Sequence, residues 1–339
     1  MRERKTILDV KGLKTSFFTD DGEVPAVDNI DFHIREGEVL GIVGESGCGK
    51  SVTSLSIMGL VPSPPGKITG GEILFQDKDL TKLNEKKMRA IRGNDIAMIF
   101  QEPMTSLNPL FTIGDQLREA IKIHKRDWSK KQIQERAVEM MKLVGLPRAE
   151  DLMKEYPHQL SGGMRQRVMI AMALLCDPKV LIADEPTTAL DVTIQAQILK
   201  LIKNLNETLN TAVLLITHDL GVVAETCERV IVMYAGKVVE EGPVHTIFKD
   251  PQHPYTRGLL ESVPDMRFKK ERLYSIPGNV PKPGSIRTGC KFAARCEFAF
   301  DRCLNENPDL YQTADDHQTR CFLFDSKEVQ AHDRTVVKS

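Results

Sequence analysis

A glycine-rich segment at residues 44–51 constrains this chain more than any other feature. It follows the apolar run at 39–43 and precedes a helix-prone stretch that begins at Lys50, which is the context of a phosphate-binding loop. Glycines let the backbone wrap a phosphate, Lys50 can reach the β- and γ-oxygens, and the Ser51 hydroxyl can ligate Mg²⁺. The sequence therefore predicts a site for a nucleoside triphosphate and Mg²⁺. The residues of the predicted loop are Gly44, Glu45, Ser46, Gly47, Cys48, Gly49, Lys50 and Ser51.

Size and charge limit the classes of partner. The chain has 339 residues and a formal net charge of −1, so no strongly basic surface favours nucleic acid. The longest apolar run, at 168–176, is far shorter than the roughly 20 residues that a membrane-spanning helix needs. The N-terminal sequence does not continue into an apolar signal segment. We therefore expect a cytosolic protein that associates with a membrane only through a partner.

Alternating strand and helix patterns predict the fold class. Residues 5–43 read as short strands around a turn at 19–22, which indicates an antiparallel β subdomain. Further along, an apolar repeat at three- and four-residue steps predicts a helix over 193–209. The whole pattern predicts an α/β fold with a doubly wound, mostly parallel sheet and ligand at the carboxyl ends of its strands. The predicted buried strands are Ile96–Phe100, Val180–Ala183, Val213–Thr217 and Val230–Met233.

Two segments interrupt this alternation. Residues 103–160 are charged and helix-prone, contain no strand candidate, and read as a helical insertion in which Ser129 caps a helix. A proline-rich segment at 276–284 then precedes a cluster of cysteines. We therefore predict three parts. They are a nucleotide-binding domain at 1–260, a small cysteine-rich domain at 261–325 and a polar tail at 326–339.

Two further motifs carry chemistry. A buried strand ends in Asp184 and Glu185, and downstream of a phosphate loop this pair predicts a carboxylate for Mg²⁺ and a base for the attacking water. Ser161 and two glycines precede a helix predicted at 165–176. Ser161 either simply caps that helix or, with the bare amides beside it, forms a second anion site. Because one nucleotide already has a phosphate loop, a second anion site indicates a γ-phosphate presented by another subunit.

These motifs, in this order, resemble those of ATP-binding-cassette (ABC) ATPases. The resemblance implies that Gln101 is the Q-loop residue, which also senses Mg²⁺, and that His218 is the switch histidine at the γ-phosphate. It further implies that Asp191 belongs to the D-loop and that Phe17, or its neighbour Phe18, stacks on adenine with about 1–3 kcal/mol. The signature motif acting on the partner's nucleotide corresponds to Ser161, Gly162, Gly163 and Met164, of which Met164 stands where glutamine is common. The backbone of Met164 can still donate to phosphate, so we expect an active half-site with altered side-chain contacts. Because Asp184 and Glu185 are both present, we expect this chain's own phosphate loop to hydrolyse ATP.

The C-terminal third resembles the ATPases of oligopeptide and dipeptide importers. The resemblance is carried by the segments at 250–260, 276–278 and 289–296, and the run at 160–167 looks like the D-type ATPase of such importers. It implies a paralogous ATPase as dimer partner, two transmembrane permeases, and an extracellular binding protein that delivers peptide. The expected location is peripheral, on the cytoplasmic face of the cell membrane.

Four C-terminal cysteines form a separate candidate site. They follow the spacing Cys-x5-Cys-x6-Cys-x17-Cys, which is wider than usual zinc pairs and unlike the familiar ferredoxin spacings, so spacing alone supports neither zinc nor an iron–sulfur cluster. Buried free thiols in a small core are a third possibility. The family resemblance favours a structural [4Fe–4S] cluster over Zn²⁺. Its ligands would be Cys290, Cys296, Cys303 and Cys321.

Other function classes fit the sequence less well. Soluble ABC ATPases that act on ribosomes or DNA usually carry tandem cassettes, long coiled coils or basic arms, none of which is recognisable in this sequence. A GTPase or kinase would give the serine–glycine signature no role, and no guanine-reading Asn-Lys-x-Asp motif is present. Within the transporter class, nickel or another small solute remains a possible cargo.

Overall fold

The computed structural model describes residues 4–101, 106–188, 191–263 and 274–325. The chain forms two compact units. The first unit comprises Met1–Asp9, His33–Val39 and Leu74–Ile216, and the second comprises Val10–Phe32, Leu40–Ile73 and Thr217–Ser339. The predicted tail at 326–339, the Q-loop neighbours at 102–105 and the D-loop residues Ala189 and Leu190 lie outside the described residues.

The N-terminal strands are longer than the sequence predicted. Strand β1 spans Thr6–Thr19 and β2 spans Gly22–Arg35, and the two-residue connection between them makes the pair an antiparallel hairpin. Strand β1 lies between β2 and β4 (Gly66–Phe75), and β5 (Lys78–Asp79) pairs with the end of β4. The predicted antiparallel subdomain is confirmed, and its two strands run well beyond the turn, to 14 residues each.

The first unit contains a three-stranded parallel sheet. Strand β7 (Val180–Asp184) lies between β6 (Ile96–Ile99) and β8 (Ala212–Ile216), with Ile96 opposite Val180 and Val180 opposite Ala212. These strands coincide with the predicted ones to within one residue at each end. Buried apolar side chains on both faces explain why their sequences show continuous apolar runs.

Helices flank this sheet. Their bounds are α2 Glu85–Ile91, α3 Ile113–His124, α4 Lys130–Leu143, α5 Ala149–Leu152, α6 Gly162–Leu174 and α7 Val192–Leu209. In the described part of the predicted insertion, residues 106–160, only helices occur. Ser129 caps α4 as predicted and forms a capping box with Gln132. The helix predicted at 165–176 begins three residues earlier, so Gly162 and Gly163 form its first turn.

The second unit contains a mixed sheet. Strand β3 (Val39–Val43), whose last four residues belong to this unit, runs parallel to β9 (Arg229–Tyr234), and β10 (Lys237–Pro243) pairs antiparallel with β9. Helix α1 (Lys50–Ile57) follows β3, α8 (Leu220–Thr226) precedes β9, and α9 (Val244–Lys249) and α10 (Pro254–Glu261) follow β10. The predicted strand at 230–233 is thus confirmed, extended by one residue at each end.

The cysteine-rich region joins the sheet of the second unit. After α11 (Asp301–Asn305), β11 (Tyr311–Ala314) pairs with β12 (His317–Thr319), and β12 pairs with β10. Ile276 and Val280, from the proline-rich segment, pack against the same buried cluster as Tyr234 and Tyr255. The proline-rich segment is therefore packed onto the core rather than a free linker. The three-part division of the chain stays a prediction.

In the described parts of the chain, no helix has both the length and the apolar character needed to cross a bilayer.

Candidate functional site

The predicted phosphate loop leaves the buried end of β3 and enters α1 at Lys50, as the motif requires. Gly44 and Gly49 have positive φ angles of 151° and 103°. A Cβ atom at Gly44 would lie 2.2 Å from the Met233 carbonyl oxygen, and one at Gly49 would lie 2.5 Å from the Ala26 carbonyl oxygen. Because backbone atoms cannot swing aside, only glycine fits at these two positions.

The Lys50 ammonium group lies inside this loop. It is buried and donates hydrogen bonds to the carbonyl oxygens of Gly44, at 2.7 Å, and Glu45, at 3.1 Å. Ser46 and Gly47 form the exposed outer turn. Burial raises the pKa of the Cys48 thiol, so Cys48 stays protonated and serves packing. Lysine is a mobile point charge that can exchange carbonyl oxygens for phosphate oxygens.

His218 stands on an exposed turn of the same unit. The Thr217 N–H donates to the Ile42 carbonyl at 3.2 Å, which places this turn beside the end of β3, just before the phosphate loop. Asp219 caps α8 by accepting from the Gly221 and Val222 amides. His218 is therefore held at the same strand ends as the loop. Its role at the γ-phosphate stays a prediction.

Phe17 and Phe18 lie near the end of β1. Phe17 is half-buried, and a Cβ atom at Gly66 would lie 3.0 Å from its ring. The Phe18 side chain is 48% exposed. Successive residues of a strand face opposite sides, so only one of these rings can face a given ligand. The assignment of adenine stacking to Phe17 stays a prediction.

The predicted acidic pair lies in the first unit. Asp184 is the buried last residue of β7, and the Glu185 N–H donates to the Ile216 carbonyl at 2.8 Å. Glu185 has a φ of 47°, a region that costs a non-glycine residue about 1–3 kcal/mol and is common where function holds a residue in place. Its carboxylate Oε2 accepts hydrogen bonds from Gln101 Nε2 at 3.2 Å and from Thr188 Oγ1 at 3.0 Å. The structure thus brings the predicted Q-loop residue to the predicted base.

The signature serine, Ser161, and the D-loop aspartate, Asp191, each cap a helix. Ser161 Oγ accepts from the Met164 amide at 3.3 Å, and Asp191 Oδ1 accepts from the Ile194 amide at 2.9 Å. A Cβ atom at Gly163 would lie 3.2 Å from the Ile194 side chain, so the two helix starts pack closely. The capping interpretation of Ser161 is correct for the chain alone, and its role toward a second nucleotide stays a prediction.

Two polar residues beside the acidic pair were given no role by the sequence analysis. Thr188 donates to the Glu185 carboxylate. Gln166, on α6, is buried and donates to the carbonyl oxygen of Pro186, which follows Glu185. In the sequence, only the presence of one glutamine among the apolar residues on the buried face of α6 could have indicated a role for Gln166. Gln166 links the signature helix to the turn that carries the base.

All four C-terminal cysteines line one small cavity in the second unit, together with His253 and apolar side chains such as Phe292 and Phe322. Burial raises the pKa of Cys290 to about 11 and that of Cys321 to about 12. Within the described residues, no three His, Cys, Asp or Glu side chains form a group that could hold a metal ion. The cavity therefore brings the four predicted ligands together, but the described residues show no metal-binding group there.

Comparisons with known proteins agree with this arrangement. The ABC transporter family model matches residues 27–188, and the model of the oligopeptide/dipeptide transporter C-terminal region matches residues 239–303. The chain is 56% identical over 322 residues to the oligopeptide transport ATP-binding protein AppD of Bacillus subtilis strain 168, covering 95% of this chain and 98% of that protein.

Two more similarities extend the comparison. The dipeptide transport ATP-binding protein DppD of Bacillus subtilis strain 168 is 53% identical over 325 residues, covering 96% of this chain and 97% of that protein. The dimeric ATP-binding cassette MJ0796, solved in a post-hydrolysis state with ADP and Pi, is 32% identical with a TM-score of 0.62, covering 70% of this chain and 98% of that chain. The two family matches and these similarities lead to one conclusion: the chain belongs to the ABC transporter ATP-binding proteins of the oligopeptide/dipeptide family.

Proposed function

We propose that this chain is the ATP-hydrolysing subunit of an ABC importer that takes up dipeptides and oligopeptides. The observation that carries the proposal is that similarity to peptide transport ATP-binding proteins runs through the C-terminal region, which the general ABC family model does not include. The subunit would lie on the cytoplasmic face of the membrane, held there by two transmembrane permeases. A paralogous ATPase is its proposed dimer partner, and an extracellular binding protein delivers the peptide.

The chemistry is in-line attack of water on the γ-phosphate. Lys50 and the loop amides bind the phosphates, and Ser51, Asp184 and Gln101 would hold Mg²⁺. Bound Mg²⁺ supplies charge neutralisation of the phosphate oxygens. Glu185 accepts the proton of the attacking water, and His218 stabilises charge at the γ-phosphate. Gln101 and Thr188 keep the Glu185 carboxylate in place through the two hydrogen bonds to Oε2.

The signature residues complete the site of the partner subunit in this proposal. Ser161 and the first turn of α6 expose an N-terminal helix end, which favours anions. Gly162 has open space where a side chain would stand, so another group can approach the helix end closely. The γ-phosphate of a nucleotide bound to the partner is the expected occupant.

Uptake measurements test the transport proposal directly. Cells with the wild-type gene should accumulate a labelled dipeptide and a labelled longer peptide, and cells with the Lys50→Ala variant should lose that uptake. Nickel uptake, measured in parallel, should not differ between the two strains. Peptide uptake that is unchanged by Lys50→Ala, or a loss confined to nickel, would refute the peptide assignment.

We also propose a structural [4Fe–4S] cluster at the cysteine cavity. Four thiols around one cavity match the donor set of such a cluster. The ring of His253 adds a second fit. Its Nδ1 accepts from the Tyr255 amide, so Nε2 carries the proton, and this buried Nε2 has no hydrogen-bond partner among the described residues. A cluster sulfur would supply the missing acceptor.

Metal analysis of the anaerobically purified protein tests the cluster. We expect a brown protein with about four iron and four sulfide ions per chain. Cys290→Ser should lose the iron, whereas Cys176→Ala, at a buried cysteine outside the cavity, should keep it. A colourless protein, whether it contains zinc or four free thiols, would refute the cluster.

A further inference from the structure

The second residue of the phosphate loop is held by two side chains from the far end of the chain. The Arg295 guanidinium donates to both carboxylate oxygens of Glu45, with Nη1–Oε2 at 2.7 Å and Nη2–Oε1 at 3.1 Å. The Tyr255 hydroxyl accepts from the Glu45 backbone N–H at 2.9 Å. The two residues lie 250 and 210 positions away in the sequence, in the part of the chain that follows β10.

The Arg295 side chain is also held by residues other than Glu45. Its Nε donates to the Pro277 carbonyl at 2.8 Å, and its Nη1 donates to the Tyr234 hydroxyl at 3.2 Å. Its guanidinium carbon lies 5.8 Å from the ring centroid of Tyr234 and 5.9 Å from that of Phe292. The Arg295 side chain is only 6% exposed, so this ion pair is unlike the solvent-screened pairs that contribute little.

The Tyr255 side chain is likewise held in place by its surroundings. It is fully buried, near the start of α10, and its ring packs against Tyr234 at 4.6 Å and Phe292 at 5.4 Å between centroids. A hydroxyl on such a ring has little freedom to move away. The Glu45 amide is therefore committed to Tyr255, and the amides available to an anion begin at Ser46.

The backbone carbonyl of Glu45 contacts Lys50, the residue proposed to bind phosphate. The carbonyl oxygen accepts from Lys50 Nζ at 3.1 Å and from the Cys48 amide at 3.3 Å. A shift of Glu45 would therefore move both the turn and the resting position of Lys50. The phosphate-loop motif leaves the residue type at this position free, so the carboxylate is explained by Arg295 and not by phosphate chemistry.

We propose that Arg295 and Tyr255 are positioning residues of the phosphate loop, through which the C-terminal region sets nucleotide affinity. The proposal rests on the proposed function in that residues 44–51 bind a nucleotide. Displacements of about 1 Å in a binding site cost substantial affinity or rate, so a loop fixed at both its amide and its side chain is preorganised for the triphosphate.

Nucleotide binding to the full chain, measured with a fluorescent ATP analogue and Mg²⁺, tests this proposal. Because Arg295 holds the Glu45 carboxylate and the Glu45 carbonyl accepts from Lys50, we expect Arg295→Gln and Glu45→Gln each to weaken nucleotide binding by more than about twofold. The double variant should bind nucleotide no more weakly than the single variant with the lower affinity, since each single substitution already removes the same ion pair. Arg295→Lys should restore part of the affinity, because lysine keeps the charge and loses the bidentate geometry.

Matched controls come from the same region. Arg302 and Tyr311 both hydrogen-bond to Asp325, away from the loop, so Arg302→Gln and Tyr311→Phe should bind nucleotide like the wild type, whereas Tyr255→Phe should bind more weakly. Folded Arg295→Gln and Glu45→Gln variants that bind within twofold of the wild type would overturn the proposal, as would equal losses in the controls. If Arg295→Gln does not fold, Glu45→Gln and Arg295→Lys carry the test. A wild-type chain that binds no nucleotide would instead refute the proposed function.

Discussion

The substitution Glu185→Gln would separate the catalytic role of this carboxylate from its role in holding the fold. The change removes the negative charge and keeps the shape of the side chain. In the wild type, the hydrogen bonds from Gln101 and Thr188 both end on one oxygen, Oε2 of Glu185. The amide oxygen of glutamine can still accept both, so we expect the turn after β7 to survive the substitution.

The expected loss of stability in Glu185→Gln is much smaller than the expected loss of hydrolysis. Hydrogen bonds to a charged acceptor contribute about 1.5–3 kcal/mol and neutral ones about 0.5–1.5 kcal/mol, a difference of about 1–1.5 kcal/mol for each bond. Both bonds to Glu185 are exposed to solvent, which reduces the loss below that difference. A general base contributes about 10²–10⁴-fold to the rate, which corresponds to roughly 3–5 kcal/mol of activation free energy. We therefore expect a nearly normal thermal transition and a hydrolysis rate at least about a hundredfold lower.

Phosphate release and nucleotide retention, measured together, distinguish these effects. Glu185→Gln should bind ATP, release almost no phosphate and accumulate as a closed dimer when its partner ATPase is present. Glu207→Gln is the matched control, since Glu207 is exposed on α7 and lies outside the proposed site. It should hydrolyse ATP at the wild-type rate.

An unchanged rate of hydrolysis would refute the role of Glu185 as the base. If Glu185→Gln releases phosphate at the wild-type rate, another group must take the proton from the attacking water, and the contacts of Gln101 and Thr188 would have no catalytic meaning. A variant that loses both ATP binding and thermal stability would show that the carboxylate holds the fold, which the retained hydrogen bonds argue against.

Three further predictions address the signature helix, its buried link and a buried thiol. Ser161→Ala should lose the cap of α6, at about 1 kcal/mol, and dimeric ATP hydrolysis, whereas Ser161→Asn should restore the unfolding free energy but not hydrolysis, and full activity in either variant would refute the proposed role in trans. Gln166→Leu should lower the unfolding free energy by about 1–3 kcal/mol because the Pro186 carbonyl loses its donor, and an unchanged denaturation midpoint would contradict this. Burial raises the pKa of Cys227 from 9.0 to about 12, so the folded chain holds this proton more tightly and stability falls as pH rises above 9, by at most about 1.4 kcal/mol per pH unit. Cys227→Ala should flatten that slope between pH 9 and 11 in denaturant titrations, and an identical slope in both proteins would be evidence against the buried thiol as its source.

Local features of this chain follow from short stretches of sequence. The phosphate loop, the capping box at Ser129 and the buried strands were predictable because each depends on residues within a few positions of one another. The start of α6 was placed three residues late, since two glycines lower helix propensity and only the Ser161 cap marks the true beginning. The order of the motifs was enough to indicate the family.

Long-range pairings required the tertiary structure. Gln101 meets Glu185 across 84 positions, and Arg295 meets Glu45 across 250, because parallel strand ends and the packed C-terminal region bring them together. A glutamine, arginine or tyrosine considered alone has many possible partners, and its neighbours in sequence do not select among them. The sequence thus determined which chemical groups are present and in which local turns they stand, while packing decided which group each one holds in place.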